Sequence, residues 1–320
     1  MPWKECNSMS ERMKFVTRLE DGERMSDICQ EFGISRKTGY KLWKRYLEHG
    51  VEAFIDRSKR PRRLANETDV HIQGMILSLK EQRKTWGAPK ILEYLKRKHP
   101  ETAFPARSTV HAILERNGLV KKRGRARYKA TGTNLKPSRA PNDLWCVDFK
   151  GEFKLGNKRY CYPLTITDCY SRFILCCDSL ESTRAVEALP VFKRVFQEYG
   201  MPCAIRSDNG APFASRSYYG LTQLSAFWLK LGIKIEHIKP GHPQENGRHE
   251  RMHRTLKAEA TKPSGSNHIQ QQEKFDEFVR IYNTERPHEA LDMKVPGAIY
   301  KKSTTLYPLG SLRLPHFPLK

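Results

Sequence analysis

Apolar residues in the first 50 positions recur every three or four residues, which predicts helices. The segment RKTGYKLWKRYLEHG combines an apolar stripe of Leu42, Trp43 and Tyr46 with a basic face. An earlier helical segment, SDICQEF, is separated from it by the short turn GIS. Helix, glycine-containing turn and basic helix indicate a helix-turn-helix, whose second helix enters the DNA major groove. The alternative is a small helical hairpin with a solvated charged face. The residues of the basic face are Arg36, Lys37, Lys41, Lys44 and Arg45.

A second helical region follows, with Ile72, Ile76 and Leu79 at helical spacing and a further helix in STVHAILERNG. It resembles a second helix-turn-helix. Two basic tracts flank it, RSKRPRR before and KKRGRARYK after. Ser58 and Pro61 make a helix unfavourable in the first tract, so we expect an extended linker along DNA phosphates. The expected phosphate contacts in the two tracts are Arg57, Arg60, Arg62, Arg63, Lys121, Lys122 and Arg123.

The pattern changes at residue 144, where β-branched and aromatic residues form three strand-like runs. These runs are LWCVDFKGEF, RYCYPLTITDC and RFILCCDSL. A helix, a strand, a helix, a strand and a last helix follow, which gives the order βββαβαβα. A meander followed by αβ units predicts an α/β core with a mixed sheet covered by helices. A further helix carries the apolar stripe Phe275, Phe278, Val279 and Tyr282, which we expect to pack on this core.

These patterns divide the 320 residues into successive parts. We predict a helix-turn-helix domain over 1–56, a basic linker over 57–66, a second helix-turn-helix-like domain over 67–130, a linker over 131–142, the α/β core with its C-terminal helix over 143–300, and a short tail over 301–320.

The charge of the chain favours a polyanionic partner, since the formal net charge is +23 and the sequence pI is about 9.7. Residues 1–140 hold 32 Lys and Arg against 16 Asp and Glu, whereas residues 141–320 hold 26 against 19. We find no apolar run of membrane-spanning length and no signal peptide, so we expect an intracellular (cytoplasmic) protein without a membrane partner. The eight cysteines contain no Cys-x-x-Cys pair, so zinc-ribbon spacing is absent.

Three carboxylates are candidates for a metal site. Asp148 lies in the first strand of the core, Asp208 ends the fourth, and Glu250 lies in the last helix of the αβ units. Carboxylate oxygens suit Mg²⁺ or Mn²⁺, and two such ions about 3.5–4 Å apart can activate an attacking oxygen and stabilise a leaving one. Arg254 and Lys257 lie on the same helical face as Glu250, where they can hold DNA phosphates. Any single acid here has a structural reading, as Asp208 before Asn-Gly could close a turn.

Several segments, taken together, resemble insertion-sequence transposases with a retroviral-integrase-type core. They are WCVDFKGEF, TITDCYSRF, RSDNGAPF, GHPQENGRHERMHRTLK and YNTERPHEAL, preceded in order by MPWKE, EFGISRKTGYKLWKRY and DRSKRPRR. The resemblance covers roughly residues 1–300. It implies a ribonuclease H-like fold in which the first and fourth strands are neighbours, so that Asp148 lies beside Asp208.

The resemblance also implies a reaction. Asp148, Asp208 and Glu250 would form an Asp-Asp-Glu triad that binds two Mg²⁺ (or Mn²⁺) ions. The enzyme would bind the element ends in double-stranded DNA, nick them by hydrolysis and join the 3′-hydroxyl to target DNA, without a covalent protein–DNA intermediate. Transposases of this type act as multimers, which implies a homo-oligomer on DNA.

The third acid has two candidates. Glu245 follows Asp208 with 36 residues between them, close to the spacing of many integrases, and Glu250 follows with 41. Glu250 occupies the family's Pro-Gln-x-x-Gly-x-x-Glu position within PQENGRHE, and Arg254 and Lys257 are counted from it. We therefore assign Glu250.

Two other functions, and the role of a fourth acid, also have to be considered. The string His249-Glu250-Arg251-Met252-His253 fits the zinc metalloprotease motif, although it leaves the basic half and both aspartates unexplained. Asp168 in TITDCYSRF is expected to be structural and to pair with Arg172. The short tail, where relatives often carry a further small β domain, leaves open a catalytically silent DNA-binding remnant or repressor.

Overall fold

A computed structural model describes residues 8–56, 67–120, 138–215, 221–238 and 246–308. The chain divides into two compact units, an N-terminal unit of Met1–Glu67 and a C-terminal unit of Thr68–Lys320. None of the helices in these ranges is long and apolar enough to cross a membrane.

The N-terminal unit contains the predicted helix-turn-helix. Its elements are α1 (Ser8–Glu20), α2 (Met25–Glu31), α3 (Arg36–His49) and a 3₁₀ turn (Gly50–Phe54). The Ser35 side chain caps α3 by accepting the backbone N–H of Thr38. Gly33, between α2 and α3, has a φ of 64°, which a glycine adopts without steric penalty.

The three helices meet at a small apolar core of Phe15, Val16, Ile28, Cys29 and Phe54. Leu42, Trp43 and Tyr46, the predicted stripe, pack against it. Gly39 of α3 is buried where α2 and α3 approach each other. A Cβ atom there would lie 2.6 Å from the Cys29 sulphur and 2.8 Å from the Met25 sulphur, so this contact requires a glycine.

The C-terminal unit begins with three helices and continues with the predicted α/β core. The elements are α4 (Val70–Gln82), α5 (Ala88–Lys98), α6 (Arg107–Arg116), β1 (Leu144–Phe149), β2 (Phe153–Lys154), β3 (Tyr160–Asp168), β4 (Ile174–Leu180), α7 (Ala185–Tyr199), β5 (Ala204–Ser207), α8 (Gln223–Lys230), β6 (Lys234–His237), α9 (Gly247–Ala260), α10 (His268–Thr284) and α11 (Pro296–Ile299). The order βββαβαβα is confirmed with one difference. The first run is split into β1 and β2 around Gly151, a residue with no side chain to pack in a strand.

The sheet is mixed, as predicted. β3 pairs antiparallel with β1, β4 and the short β2. On its other side β1 pairs parallel with β5, and β5 pairs parallel with β6. The first and fourth long strands of the core, β1 and β5, are therefore neighbours.

Helices cover both faces of this sheet. On one face Trp145 and Val147 of β1 belong to a core with Phe192 of α7 and Trp228 of α8. On the other face α9 and α10 pack through Met252, Leu256 and the predicted stripe of Phe275, Phe278, Val279 and Tyr282. Successive strand residues face opposite sides, so Cys146 and Asp148 project toward the face that α9 covers.

The helices α4 to α6 share a core with α10. Ile281 of α10 belongs to the cluster that contains Ile76 and Trp86. The Arg83 guanidinium lies 2.9 Å from a carboxylate oxygen of Glu285, and Arg97 donates to the Glu285 carbonyl at 2.8 Å. The second helical region and the sheet therefore form one compact unit.

Candidate active site

Asp148 and Asp208 come from neighbouring parallel strands. Leu144 lies opposite Ala204, and Cys146 lies opposite Arg206. Asp148 follows Cys146 by two residues, and Asp208 follows Arg206 by two residues. Continuing the same register therefore places the two aspartates side by side. Because side chains alternate, both carboxylates project from the face that holds Cys146 and Ala204. The turn after β5 also uses Asp208, since the Gly210 N–H donates to Asp208 Oδ1 at 3.2 Å.

Glu250 reaches the same region because two histidines on α9 anchor that helix to the sheet. His249 and His253 each place Nε2 2.7 Å from the Thr165 hydroxyl. Thr165 is the residue directly opposite Asp148 on β3. Glu250 is exposed in the first turn of α9. The histidine contacts therefore hold the helix that carries Glu250 against the part of the sheet that contains Asp148.

The charges of Asp208 and Glu250 act on Asp148. Burial, and next the negative charge of Asp208, raise the pKa of Asp148 to about 7, and Glu250 adds to the rise. Like charges raise a carboxyl pKa only when they lie close together in a poorly solvated place. Asp208 and Glu250 therefore both lie close enough to Asp148 for their negative charge to act on its carboxyl group.

A tighter group of side chains lies inside this site. Among the described residues, Asp148, His249 and His253 form the one set of three or more His, Cys, Asp or Glu side chains whose ligand atoms all lie within 4.8 Å of one another. The two histidines are 2% and 7% exposed. Burial lowers the pKa of His249 to about 3 and that of His253 to about 2, so both imidazoles are neutral at pH 7.

The sequence pattern did not reveal this arrangement. The His-Glu-x-x-His spacing correctly places both imidazoles on one face of α9, but that face lies against Thr165 and Thr167 of β3. The spacing of apolar residues within a helix or strand does not predict a contact between residues more than 80 positions apart. The only sequence signal was the four-residue spacing of the histidines.

Two lysines lie close to Asp148. Burial and the charge of Lys257 lower the pKa of Lys150, and the charge of Asp148 opposes that shift. Lys150 and Lys257 therefore lie near each other beside Asp148, while Arg254 and Lys257 are exposed on α9. Sequence reasoning singled out Arg254 and Lys257 and missed Lys150, whose position two residues after Asp148 was the available signal.

Asp168 has a structural set of contacts. It is fully buried and accepts the backbone N–H of Asn142 at 2.8 Å. Ser171 donates to it twice, from its backbone N–H at 2.7 Å and from its hydroxyl at 2.6 Å. The expected pairing with the Arg172 side chain is wrong: Arg172 contributes only its backbone N–H, to the Asp168 carbonyl at 3.0 Å. These bonds join the end of β3 to the residues that precede β1.

The predicted DNA-contacting residues of α3 divide into two kinds. Arg36, Lys37, Lys41 and Lys44 are exposed along one helix. Arg45 is half-buried, and its guanidinium donates to the Ile55 carbonyl within its own unit. The predicted contacts Arg57, Arg60, Arg62, Arg63, Lys121, Lys122 and Arg123 lie outside the described residues, and so does Glu245.

Comparison with protein families assigns domains to most of these elements. Residues 138–243 and 231–296 match two family models that are both described as integrase core domains. Residues 11–62 match a helix-turn-helix domain, and residues 38–114 match a homeodomain-like domain. The chain therefore carries an integrase core domain that follows helix-turn-helix domains in the sequence.

Known relatives share only part of their length with this chain. It is 32% identical over 122 residues to the Gag-Pol polyprotein of baboon endogenous virus (strain M7), which is 38% of this chain and 7% of that polyprotein. It is 33% identical over 124 residues to the Gag-Pol polyprotein of feline leukemia virus, which is 39% of this chain and 7% of the relative.

Two solved structures resemble part of the chain at low sequence identity. The HTLV-2 integrase catalytic core domain in complex with magnesium gives a TM-score of 0.41 at 18% identity, over 51% of this chain and 98% of that one. The intasome of simian T-cell lymphotropic virus in complex with the PP2A regulatory subunit B56 gamma gives 0.46 at 16% identity, over 74% and 77%.

Proposed function

We propose that this protein is a DNA transposase that binds the ends of its element and then nicks and joins DNA with Asp148, Asp208 and Glu250. The observation that carries the proposal is the pairing of β1 with β5 as adjacent parallel strands, which places Asp148 and Asp208 at the same end of the sheet. Glu250 lies on α9, and burial first, then the charges of Asp208 and Glu250, raise the pKa of Asp148 to about 7. The integrase core domain over the same residues supports it.

The carboxylates suit a divalent cation. Oxygen donors are the ligands that Mg²⁺ and Mn²⁺ prefer, and the repulsion among the three acids is the kind of charge that a bound cation neutralises. We propose that Asp148, Asp208 and Glu250 hold two such ions. When bound, the ions supply activation of the attacking oxygen and stabilisation of the leaving oxygen of a phosphodiester.

The chain's own groups position the DNA. Lys150 and Lys257 lie near Asp148, and Arg254 is exposed on the same helix as Lys257, so their charge would hold the phosphates next to the scissile bond. In the first step water attacks the phosphorus and the strand breaks to leave a 3′-hydroxyl. In the second step that hydroxyl attacks a target phosphodiester, so one bond forms as another breaks. No protein side chain is the nucleophile, so no covalent intermediate with the protein arises.

The helix-turn-helix would supply recognition of double-stranded DNA. Arg36, Lys37, Lys41 and Lys44 are exposed along α3, the helix that such domains insert into the major groove. We further propose that the basic tracts at 57–63 and 121–129 follow the backbone, and that two or more copies act together so that both element ends are held at once. We also propose that the C-terminal unit contains a second helix-turn-helix-like domain up to residue 130, a linker over 131–142 and the core from residue 143.

The test is cleavage of a labelled duplex that carries the presumed element ends, in the presence of Mg²⁺ or Mn²⁺. Asp208→Asn keeps an oxygen for the Gly210 N–H but removes the charge, and we expect it to abolish nicking and joining. Glu273→Gln, which changes an exposed acid on α10, is the matched control and should keep full activity. Salt-sensitive DNA binding without cleavage in every variant would leave a DNA-binding remnant instead.

A further inference from the structure

The Thr165 hydroxyl lies at the centre of three short contacts. Its oxygen is 2.7 Å from His249 Nε2, 2.7 Å from His253 Nε2 and 3.0 Å from the carbonyl oxygen of Asp148. The side chain is fully buried. A hydroxyl has one proton to donate and two lone pairs to accept with, so these three contacts determine where the protons lie.

Only one assignment satisfies all three contacts. The Asp148 carbonyl can only accept, so the Thr165 proton goes to it. Both imidazoles must then donate to Thr165 from Nε2, so in the neutral imidazole Nδ1 is the atom that carries the free lone pair. If Thr165 instead donated to either histidine, the carbonyl contact would have no proton. Histidine tautomers are assigned from such networks, and here the network has a single complete solution.

The two Nδ1 atoms differ in their surroundings. His249 Nδ1 lies 2.9 Å from the Thr167 hydroxyl, which can donate to it, so both nitrogens of His249 are occupied. His253 Nδ1 has no hydrogen-bond donor among the described residues. It faces Asp148 Oδ2 at 3.7 Å, beyond hydrogen-bond distance. His253 Nδ1 and Asp148 Oδ2 are thus two possible ligand atoms that face each other at a separation which one metal ion can span.

We propose that His253, through Nδ1, is a ligand of the same divalent cation as Asp148, and that it makes this site prefer Mn²⁺, Co²⁺ or Zn²⁺ over Mg²⁺. Bonds from Zn²⁺ to imidazole nitrogen and carboxylate oxygen are about 2.0–2.2 Å, so one ion of this size could bind two atoms at this separation. Imidazole suits the borderline metals better than Mg²⁺, which prefers oxygen. The inference rests on the proposed function only for the metal role of Asp148.

Pulsed EPR of bound Mn²⁺ is the direct test, because it detects the nuclear spin of a coordinating imidazole nitrogen. We expect nitrogen modulation in the wild-type protein. His253→Gln keeps an amide nitrogen near the Nε2 position to donate to Thr165 but has no atom equivalent to the Nδ1 lone pair. The modulation should disappear in that variant. His111→Gln, which changes an exposed histidine on α6, is the control and should keep it. If His253→Gln does not fold, His253→Asn tests the same point, because an amide oxygen near Nδ1 gives no nitrogen coupling.

Metal affinity provides the second measurement, made on the full chain without DNA. We expect His253→Gln to weaken Co²⁺ binding by roughly tenfold or more. Even loss of a residue that only hydrogen-bonds to a metal ligand lowers metal affinity about 10–100-fold. Mg²⁺ affinity should change much less. Mn²⁺ bound to the wild-type protein without nitrogen modulation, or modulation that persists in His253→Gln, overturns this inference alone. Failure of the wild type to bind any of these ions overturns the metal role of Asp148 as well.

Discussion

Thr165 lies directly opposite Asp148 across the β1–β3 pair, and its hydroxyl is 3.0 Å from the Asp148 carbonyl oxygen. The same hydroxyl forms hydrogen bonds with Nε2 of both α9 histidines, His249 and His253. One small side chain therefore connects the strand that carries the first acid to the helix that carries the third. The position of Glu250 relative to Asp148 depends on this contact.

Replacing Thr165 with valine should destabilise the C-terminal unit by about 1–3 kcal/mol, because it leaves buried imidazole N–H groups without an acceptor. Valine has nearly the same shape as threonine, so lost packing contributes little. Unfolding in urea measures the change. Thr165→Ser keeps the hydroxyl and should lose less; equal losses for valine and serine would mean that the hydroxyl contacts contribute nothing.

His288 should make stability depend on pH below neutrality. Burial, and next the positive charges of Lys90 and Arg286, lower its pKa from 6.5 to about 3. Between these values the unfolded chain binds a proton that the folded protein does not, so stability is full above pH 6.5 and falls as the pH falls. The contribution is about 1 kcal/mol per pH unit.

The measurement for His288 is the free energy of unfolding at pH 7, 6 and 5 for the wild type and His288→Gln. The variant should lose part of the decline seen in the wild type. His111→Gln changes an exposed histidine on α6 and should keep the whole decline. Parallel curves for wild type and His288→Gln would contradict the prediction.

Two helical glycines should respond in opposite directions to substitution by alanine. At Gly39 the new Cβ meets two sulphur atoms closer than 3.0 Å, so Gly39→Ala should destabilise the N-terminal unit by about 1–3 kcal/mol. At Gly74 of α4 nothing lies within 4 Å, so Gly74→Ala should stabilise the helix by about 0.5–1 kcal/mol. Thermal unfolding of each variant checks both signs, and stabilisation by Gly39→Ala would show that α2 and α3 do not pack this closely.

Lys41 and Lys44 should contribute to DNA affinity through phosphates or bases in the major groove. Both are exposed on α3, and the double alanine variant should bind a duplex more weakly. The slope of log affinity against log salt should become shallower by about one for each lost phosphate contact. Lys193→Ala, on an exposed position of α7, is the control. An unchanged affinity in the double variant would remove α3 from the DNA interface.

Local pattern by itself determined the elements of this protein. Helical spacing places the stripe of Leu42, Trp43 and Tyr46 on α3, and the strand-like runs predict a mixed sheet in the order observed. These features are local because a helix or strand buries one face, and burial imposes a period of 3.6 or 2 on neighbouring residues. Motif resemblance, rather than periodicity, added the choice of Asp148, Asp208 and Glu250.

Tertiary structure decided what surrounds those acids. Neither the β1–β5 register nor the contact of Thr165 with two histidines 84 and 88 positions away follows from local spacing. The same is true of Lys150 beside Lys257, of Arg45 bonded to Ile55, and of Asp168 bonded to Ser171 rather than to the Arg172 side chain. Hydrogen bonds and charge interactions depend on separation in space, and only the packing of α9 on the sheet brings these groups within reach.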